Sequence, residues 1–333
     1  MKLGVALPYG EGVMSPEDVA EFVHAADGLG YDSVWVAEAW SFDAFMILTT
    51  LIPYGTRIGL ATGIVNVYSR TPALIGQSIA TLDALSGGRA VLGIGTSGPQ
   101  VIEGWHGVPF DKPVQRTRET IDIIRAILRR DRLEYHGEVF DLTKGLKLIN
   151  HPLRADVPIV VACTGPKNVE MTAEMADGWM PVLYSPSRAK DEYSESLDAG
   201  FAKRDPALKP LEIMPSVSAA VTDDPESARN IARHGLALYI GGMGSREKNF
   251  YNQLVRRYGY EQEAADIQDL YLAKKKDEAA ARISDELVDE LTLIGPRGHV
   301  AERVAEFAAA GVSTLVLQLL AFDQPSRLKP RLG

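Results

Sequence analysis

The stretch Ala61-Thr62-Gly63-Ile64-Val65-Asn66-Val67-Tyr68-Ser69-Arg70, continuing to Leu92-Gly93-Ile94-Gly95-Thr96-Ser97-Gly98-Pro99, decides the fold of this chain. Two short apolar runs, Arg57 to Val65 and Arg89 to Gly95, read as strands, each ending in a small or polar cluster. Between them Leu74, Ile75, Ile79, Leu82 and Leu85 repeat at helical spacing, and Gly87-Gly88 marks the helix end. A strand–helix–strand unit of this length makes the strands parallel and brings both polar clusters to the same sheet edge. Gly63 to Asn66 and Gly95 to Gly98 are therefore expected at one pocket.

The same unit repeats along the chain. Ser15-Pro16-Glu17-Asp18 is a helix start, with Ser15 as N-cap and Pro16 in the first turn, followed by Val19, Phe22, Val23, Ala26 and Leu29 at helical spacing. A helix–Gly–strand join at Leu29 to Val36 recurs at Ala310 to Leu317, and more loosely at Ala176 to Met180. Such joins arise where glycine takes the left-handed position after a helix. Further strands are expected at Val157 to Ala162, Trp179 to Leu183, Ile213 to Val221 and Thr314 to Leu319. With those at Met1 to Pro8, Ser33 to Ala37 and the two already named, they make eight. Eight strands alternating with helices over 333 residues predict an α/β fold, a single-domain (β/α)8 TIM barrel with insertions. A hairpin insertion is expected near 133–150 and a charged helical insertion near 243–293, the latter over the pocket, at a subunit contact or as a solvated excursion.

Composition excludes several function classes. A net charge of −9 argues against nucleic acid or an anionic membrane as partner. The single cysteine, Cys163, rules out an internal disulfide framework and, with an N-terminus that reads as a strand and no apolar run long enough to span a bilayer, points to a cytoplasmic protein. Six scattered histidines show no metal-ligand spacing, so no metal site is expected. No nucleophile elbow appears either.

The run Gly93-Ile94-Gly95-Thr96-Ser97-Gly98 matches G-x-G-x-x-G, but Pro99 and a loop to about Pro113 follow it in place of a first-unit helix, which disfavours a dinucleotide fold. Small residues there let a flat ring approach the backbone, or simply allow a tight turn. Cys163-Thr164-Gly165-Pro166-Lys167-Asn168 opens a helix after a strand, where free N–H groups favour an anion such as phosphate. Glu38, just past the second strand, is the best-placed carboxylate at the barrel mouth, against the plain alternative of a cap or salt-bridge partner. His106 sits in the loop after the fourth strand, as a ligand contact or a structural residue.

At these residues the chain resembles the luciferase-like oxidoreductase superfamily, in particular its branch that uses the deazaflavin coenzyme F420, which includes methylenetetrahydromethanopterin reductase-like proteins. The shared runs are Thr62 to Asn66, Thr81 to Arg89, Leu92 to Gly98 and Ala176 to Trp179, while Glu103-Gly104-Trp105-His106-Gly107-Val108-Pro109-Phe110 is similar to the F420 branch more narrowly. The resemblance implies a homodimeric barrel with a non-prolyl cis peptide at Gly63-Ile64, pressing on the back of the deazaflavin ring. It implies cofactor contacts from Gly63, Ile64, Val65 and Asn66, from Gly95, Thr96 and Ser97, and phosphate or linker contacts from Thr164 and Gly165. Relatives that oxidise alcohols often carry an acid followed by histidine after the second strand; here Ala39 follows Glu38, which weakens the case for alcohol oxidation.

The expected activity is hydride transfer between the deazaflavin and a small organic substrate, with Glu38 as acid–base group and Trp40, Trp105, His106 and Tyr184 on the substrate side. The alternatives are an FMN-dependent monooxygenase of the same superfamily and a non-catalytic cofactor-binding protein.

Overall fold

The computed structural model describes residues 1–8 and 15–320. Its first half runs β1 (Lys2–Ala6), α1 (Pro16–Gly28), β2 (Ser33–Val36), α2 (Ala44–Leu51), β3 (Gly59–Thr62), β4 (Val65–Asn66), α3 (Pro72–Ser86) and β5 (Ala90–Gly95). Next come α4 (Pro99–Gly104), α5 (Pro113–Leu128), the hairpin β6 (Leu133–His136) and β7 (Asp141–Leu146), β8 (Ile159–Ala162), α6 (Pro166–Met175) and β9 (Gly178–Trp179). The remainder is α7 (Ala189–Phe201), β10 (Glu212–Ile213), β11 (Ser216–Val221), α8 (Pro225–Ala237), α9 (Phe250–Arg257), α10 (Glu261–Leu272), α11 (Lys276–Ala281), α12 (Asp285–Leu291), β12 (Leu293–Gly295), α13 (Arg297–Ala309) and β13 (Thr314–Leu319).

Parallel pairing runs β9-β8-β5-β3-β2-β1-β13-β11, and β10 adds to β9. β10 and β11 are one strand interrupted at Met214-Pro215, and this segment closes the ring. Met214 N donates to Trp179 O at 2.8 Å on one side, while Val316 N donates to Pro215 O at 3.0 Å on the other. The result is the eight-membered (β/α)8 barrel, with β12 paired outside it on β11. The sixth strand is shorter than Trp179 to Leu183: past Met180 and Pro181 only Val182 still pairs, with Ser216, and Leu183 turns away at φ 53°. The third strand is broken too, because the Gly63–Ile64 peptide is cis and separates β3 from β4.

The apolar spacing of each helix places it on the barrel wall. In α3, Ile75, Ile79 and Leu82 are buried, whereas Leu74 and Leu85, expected on the same face, are exposed. At 3.6 residues per turn, positions 74 and 85 fall on the rim of the stripe centred on 75, 79 and 82. Ser15 Oγ accepts from Asp18 N, and Gly87 ends α3 in the left-handed region at φ 69°, as the sequence indicates. Inside the barrel, Trp35, Ala61, Val160, Met180, Met214 and Val316 form a separate apolar plug. Trp35 satisfies its indole N–H on Ser33 Oγ at 2.9 Å. This plug closes the lumen, so a ligand at the strand ends rests on a packed floor. No described helix is long and apolar enough to cross a membrane.

Candidate cofactor cleft at the strand ends

Chain direction puts the loops after β2, β4, β5, β8 and β11 at one end of the barrel, where a cleft of about 280 Å³ opens. Its volume lies near the lower end of the range for small-molecule sites. Glu38, Gly63, Ile64, Gly95, Thr96, Ser97, Thr164 and Gly165 all line it. Ile64 packs on the lumen plug and also reaches the cleft, so it forms a rigid apolar floor. The neighbouring glycines explain how it fits. A Cβ on Gly93 would stand 2.0 Å from Thr62 O, and one on Gly95 would stand 3.1 Å from Ala162 O and 3.2 Å from Ile64 Cδ1. The G-x-G pair thus makes room first for β3 and for Ile64. The run also leads into the short helix α4 where a loop is expected, because Pro99 suits a first helical turn.

Two expected ring contacts lie elsewhere. Val65 is buried in the outer core, since its pairing on β5 turns the side chain away from the cleft. Asn66 is also buried: its Oδ1 accepts from Tyr68 N at 3.0 Å and Ser69 N at 2.6 Å. That fixes the amide, so Nδ2 faces His106 Nε2 at 3.4 Å. Asn66 and His106 therefore brace the loops after β4 and β5 against each other, and neither lines the cleft. Tyr184 is a core residue. It packs edge-on to Trp179 and flat against Tyr193, and burial pushes its hydroxyl up to about 12.

Glu38 reaches the cleft wall with its carboxylate already engaged. Arg70 Nη2 donates to Oε2 at 2.9 Å, Nη1 donates to Oε1, and Ala44 N at the start of α2 donates to Oε2 at 2.8 Å. Arg70 also meets Asp43 at 2.5 Å. Burial opposes the Arg70 charge, but the two carboxylates outweigh it and hold the guanidinium above its ordinary range.

At the end of β8, Gly165 is the N-cap of α6 and offers no side-chain acceptor, so the helix presents its amides unshielded. Asn168, one turn in, lines the cleft and has a buried Oδ1 without a hydrogen-bond partner among the described residues. An orphaned acceptor beside a helix N-terminus suits a ligand that is anionic and also carries an N–H or O–H donor. Lys167 adds no charge to the cleft: its side chain is exposed and paired with Glu170 at 3.1 Å. Cys163 lines the cleft as a neutral thiol, pushed by burial up to about 12.

The start of the segment 243–293, together with the turn before it, contributes cleft-lining residues that sequence reasoning missed. Tyr239 comes from the π turn Leu238–Gly242, Met243 follows it, and Phe250 and Tyr251 open α9. The two tyrosine rings meet edge-on at 5.0 Å, and burial pushes both hydroxyls upward, so they are neutral donors at physiological pH. The run Leu238-Tyr239-Ile240-Gly241-Gly242-Met243 carried a usable signal, since an apolar stretch with paired glycines after a charged helix marks close packing.

The architecture is that of a TIM-barrel protein with its ligand cleft at the carboxyl ends of the strands. The chain belongs to the luciferase-like monooxygenase family, whose sequence model matches residues 1–314. It is 43% identical over 330 residues to a Mycobacterium tuberculosis protein provisionally named as a coenzyme F420-dependent oxidoreductase, covering 95% of this chain and 94% of that one. It is 31% identical over 303 residues to a 5,10-methylenetetrahydromethanopterin reductase of Archaeoglobus fulgidus, covering 89% and 87%. Among solved structures, the coenzyme F420-dependent tetrahydromethanopterin reductase from Methanopyrus kandleri superposes with a TM-score of 0.81 at 21% identity, covering 95% and 92%. An F420-dependent secondary alcohol dehydrogenase gives 0.76 at 19% identity, covering 96% and 94%. These two show the shared fold.

Proposed function

We propose that this chain is an F420-dependent oxidoreductase acting on a small organic substrate. The observation that carries the reading is one cleft in which the Ile64 shelf and the glycine-rich end of β5 meet the uncapped N-terminus of α6. A flat ring matches the shelf, and a phosphate matches the helix end. The relatives named above supply the cofactor: the two more similar ones are F420 enzymes or methanopterin reductases by name.

F420, when bound, would supply the redox chemistry as a two-electron hydride carrier. The chain's own residues do the rest. Ile64 would back the ring, while Thr164, Gly165 and the first α6 amides would hold the phosphate or its linker. Thr96 and Ser97 border the ring from β5. Met243, Phe250 and Tyr251 exclude water and align the reacting carbons. Glu38 serves as a positioning residue, tying the cleft wall to Arg70 and to the start of α2; this replaces the acid–base role expected from sequence. Tyr239 and Tyr251 add neutral donors to the cleft lining for a developing oxyanion or amide.

Titration of the purified protein with F420 and with FMN, followed by tryptophan fluorescence, tests the reading. Saturable F420 binding, and recovery of 420 nm absorbance when F420H2 meets a reducible acceptor, are the expected results. Tight FMN binding with oxygen-dependent turnover and no F420 response would replace the reading with the monooxygenase alternative.

A further inference from the structure

Gly98 and Met243, at the edge of the cleft, also line a second hollow of about 430 Å³. Its other walls include Trp40, Val101, Trp105, Leu238 and Tyr271. Trp40 lies just past β2 and Trp105 caps α4, so separate segments bring two indoles to one place. They are 53% and 66% exposed, an unusual state for the side chain that gains most from burial. The Tyr271 wall is fixed by the glycine pair of the π turn. A Cβ on Gly241 would stand 2.5 Å from Tyr271 Cβ, and one on Gly242 would stand 2.4 Å from its Cε1. Only glycine lets the ring lie flat on that backbone.

The hollow is as telling in charge as in shape. Among the described residues, no Lys, Arg, His, Asp or Glu lines it. Lys276 sits 5.6 Å from the Tyr271 ring centroid without being part of the lining. In the cleft itself Glu38, an anion, is the one charged lining residue among those described. A phosphate or carboxylate on the substrate would lose its hydration and meet no cation among these lining residues in return. Aromatic walls, by contrast, stack on flat unsaturated groups.

We propose that this hollow is the substrate annex of the cleft, and that it takes a neutral substrate whose flat aromatic or conjugated group lies against Trp40, Trp105 and Tyr271. The proposal rests on reading the cleft as the F420 site, because the reacting carbon must then sit beside Gly98 and Met243 with its apolar remainder in the annex. It sets the substrate class apart from phosphorylated sugars and polyanionic pterins.

Calorimetric titration of the F420-loaded protein with 2-naphthaldehyde, 2-naphthoate and a sugar phosphate is the test, with F420 binding read separately by its own fluorescence. The aldehyde should bind at least about tenfold more tightly than naphthoate, and the sugar phosphate should show no heat. Trp40→Ala and Trp105→Ala should each weaken aldehyde binding about fivefold or more, with thermal melting unchanged because both side chains are on the surface. Equal binding of naphthoate, no binding of the aldehyde, or full affinity in both variants would overturn the proposal. If the aldehyde binds in a Trp40-dependent way while F420 does not bind, the cofactor reading falls and the annex stands as a binding site.

Discussion

Glu38 and Arg70 join across the cleft wall by two hydrogen bonds, and 32 residues of chain separate them. Both side chains are nearly buried, 9% and 12% exposed, so each shields the other from the cost of an unpaired charge. The pair links the loop after β2 to the loop after β4, the two segments that flank the Ile64 shelf.

The proposed positioning role of Glu38 and a role in proton transfer predict different outcomes. Arg70→Ala should cost about 3 kcal/mol in urea unfolding, because it strands Glu38 and half-exposed Asp43. Glu38→Gln keeps an acceptor for Ala44 N and Arg70, so F420H2 turnover should stay within about threefold of the parent, whereas loss of a general acid or base costs about 10²–10⁴. A hundredfold fall in kcat with intact F420 affinity would restore Glu38 as the proton carrier.

The two glycines of β5 and its loop should respond in opposite ways to the same change. Gly93→Ala drives a methyl group to 2.0 Å from Thr62 O, a backbone atom of the adjacent strand that has nowhere to move. Overpacking there should cost about 3 kcal/mol and displace Ile64. Gly98→Ala meets nothing closer than Met243 O at 3.7 Å, and its φ of −107° suits any residue. Its melting temperature should match the parent's. A Gly93→Ala protein as stable as the parent would show that β3 and β5 pack less closely than described.

The barrel was legible because its signal is local. Apolar runs such as Ala90 to Gly95 and the joins at Gly30 and Gly311 declare a strand or a turn within ten residues. The cleft was legible where the backbone itself forms it, at Gly63, Ile64, Gly95 and Gly165. It was not legible where orientation decides. Val65 and Ile64 are neighbours, and the pairing of Val65 on β5 after the break sends it to the core while Ile64 faces the cleft. Tyr184 looked like a mouth residue because the turn at Leu183 cannot be read from a leucine. The Glu38–Arg70 pair and the cleft tyrosines Tyr239 and Tyr251 depend on tertiary placement, which no short window records.

Cys163 should be inert despite lining the cleft. Burial pushes its thiol up to about 12, against weaker opposing bonds from Thr172 and Trp179, so almost no thiolate exists at pH 8. A disulfide reagent should label the folded protein at least about a hundredfold more slowly than the unfolded chain at pH 8, because so little thiolate is present. Fast labelling of native protein that F420 blocks would mean the thiol is open to the cleft.

Glu119 gives the fold an acid-sensitive point far from the cleft. It sits on α5 with its side chain fully buried, accepting from Glu138 N at 2.7 Å, Phe140 N at 2.8 Å, Val139 N at 3.1 Å and Gln115 Nε2 at 2.9 Å. It thereby pins the turn of the β6–β7 hairpin, and a Cβ on Gly137 would stand 2.3 Å from its Oε2. Burial alone would raise its pKa, but Gln115 and the three backbone donors together outweigh that and hold it below the ordinary carboxylate value. A carboxylate lowered on folding stabilises the protein fully above its unfolded value of about 4.3, and the contribution is lost as pH falls through the folded value. Glu119→Gln should therefore cost about 2 kcal/mol at pH 7, from the loss of charge-assisted bonds. That difference should shrink progressively below about pH 4, where the parent itself becomes protonated. Denaturation curves for both proteins from pH 3 to pH 7 read the effect directly, and a pH-independent gap would show that the turn is held by packing and not by the carboxylate charge.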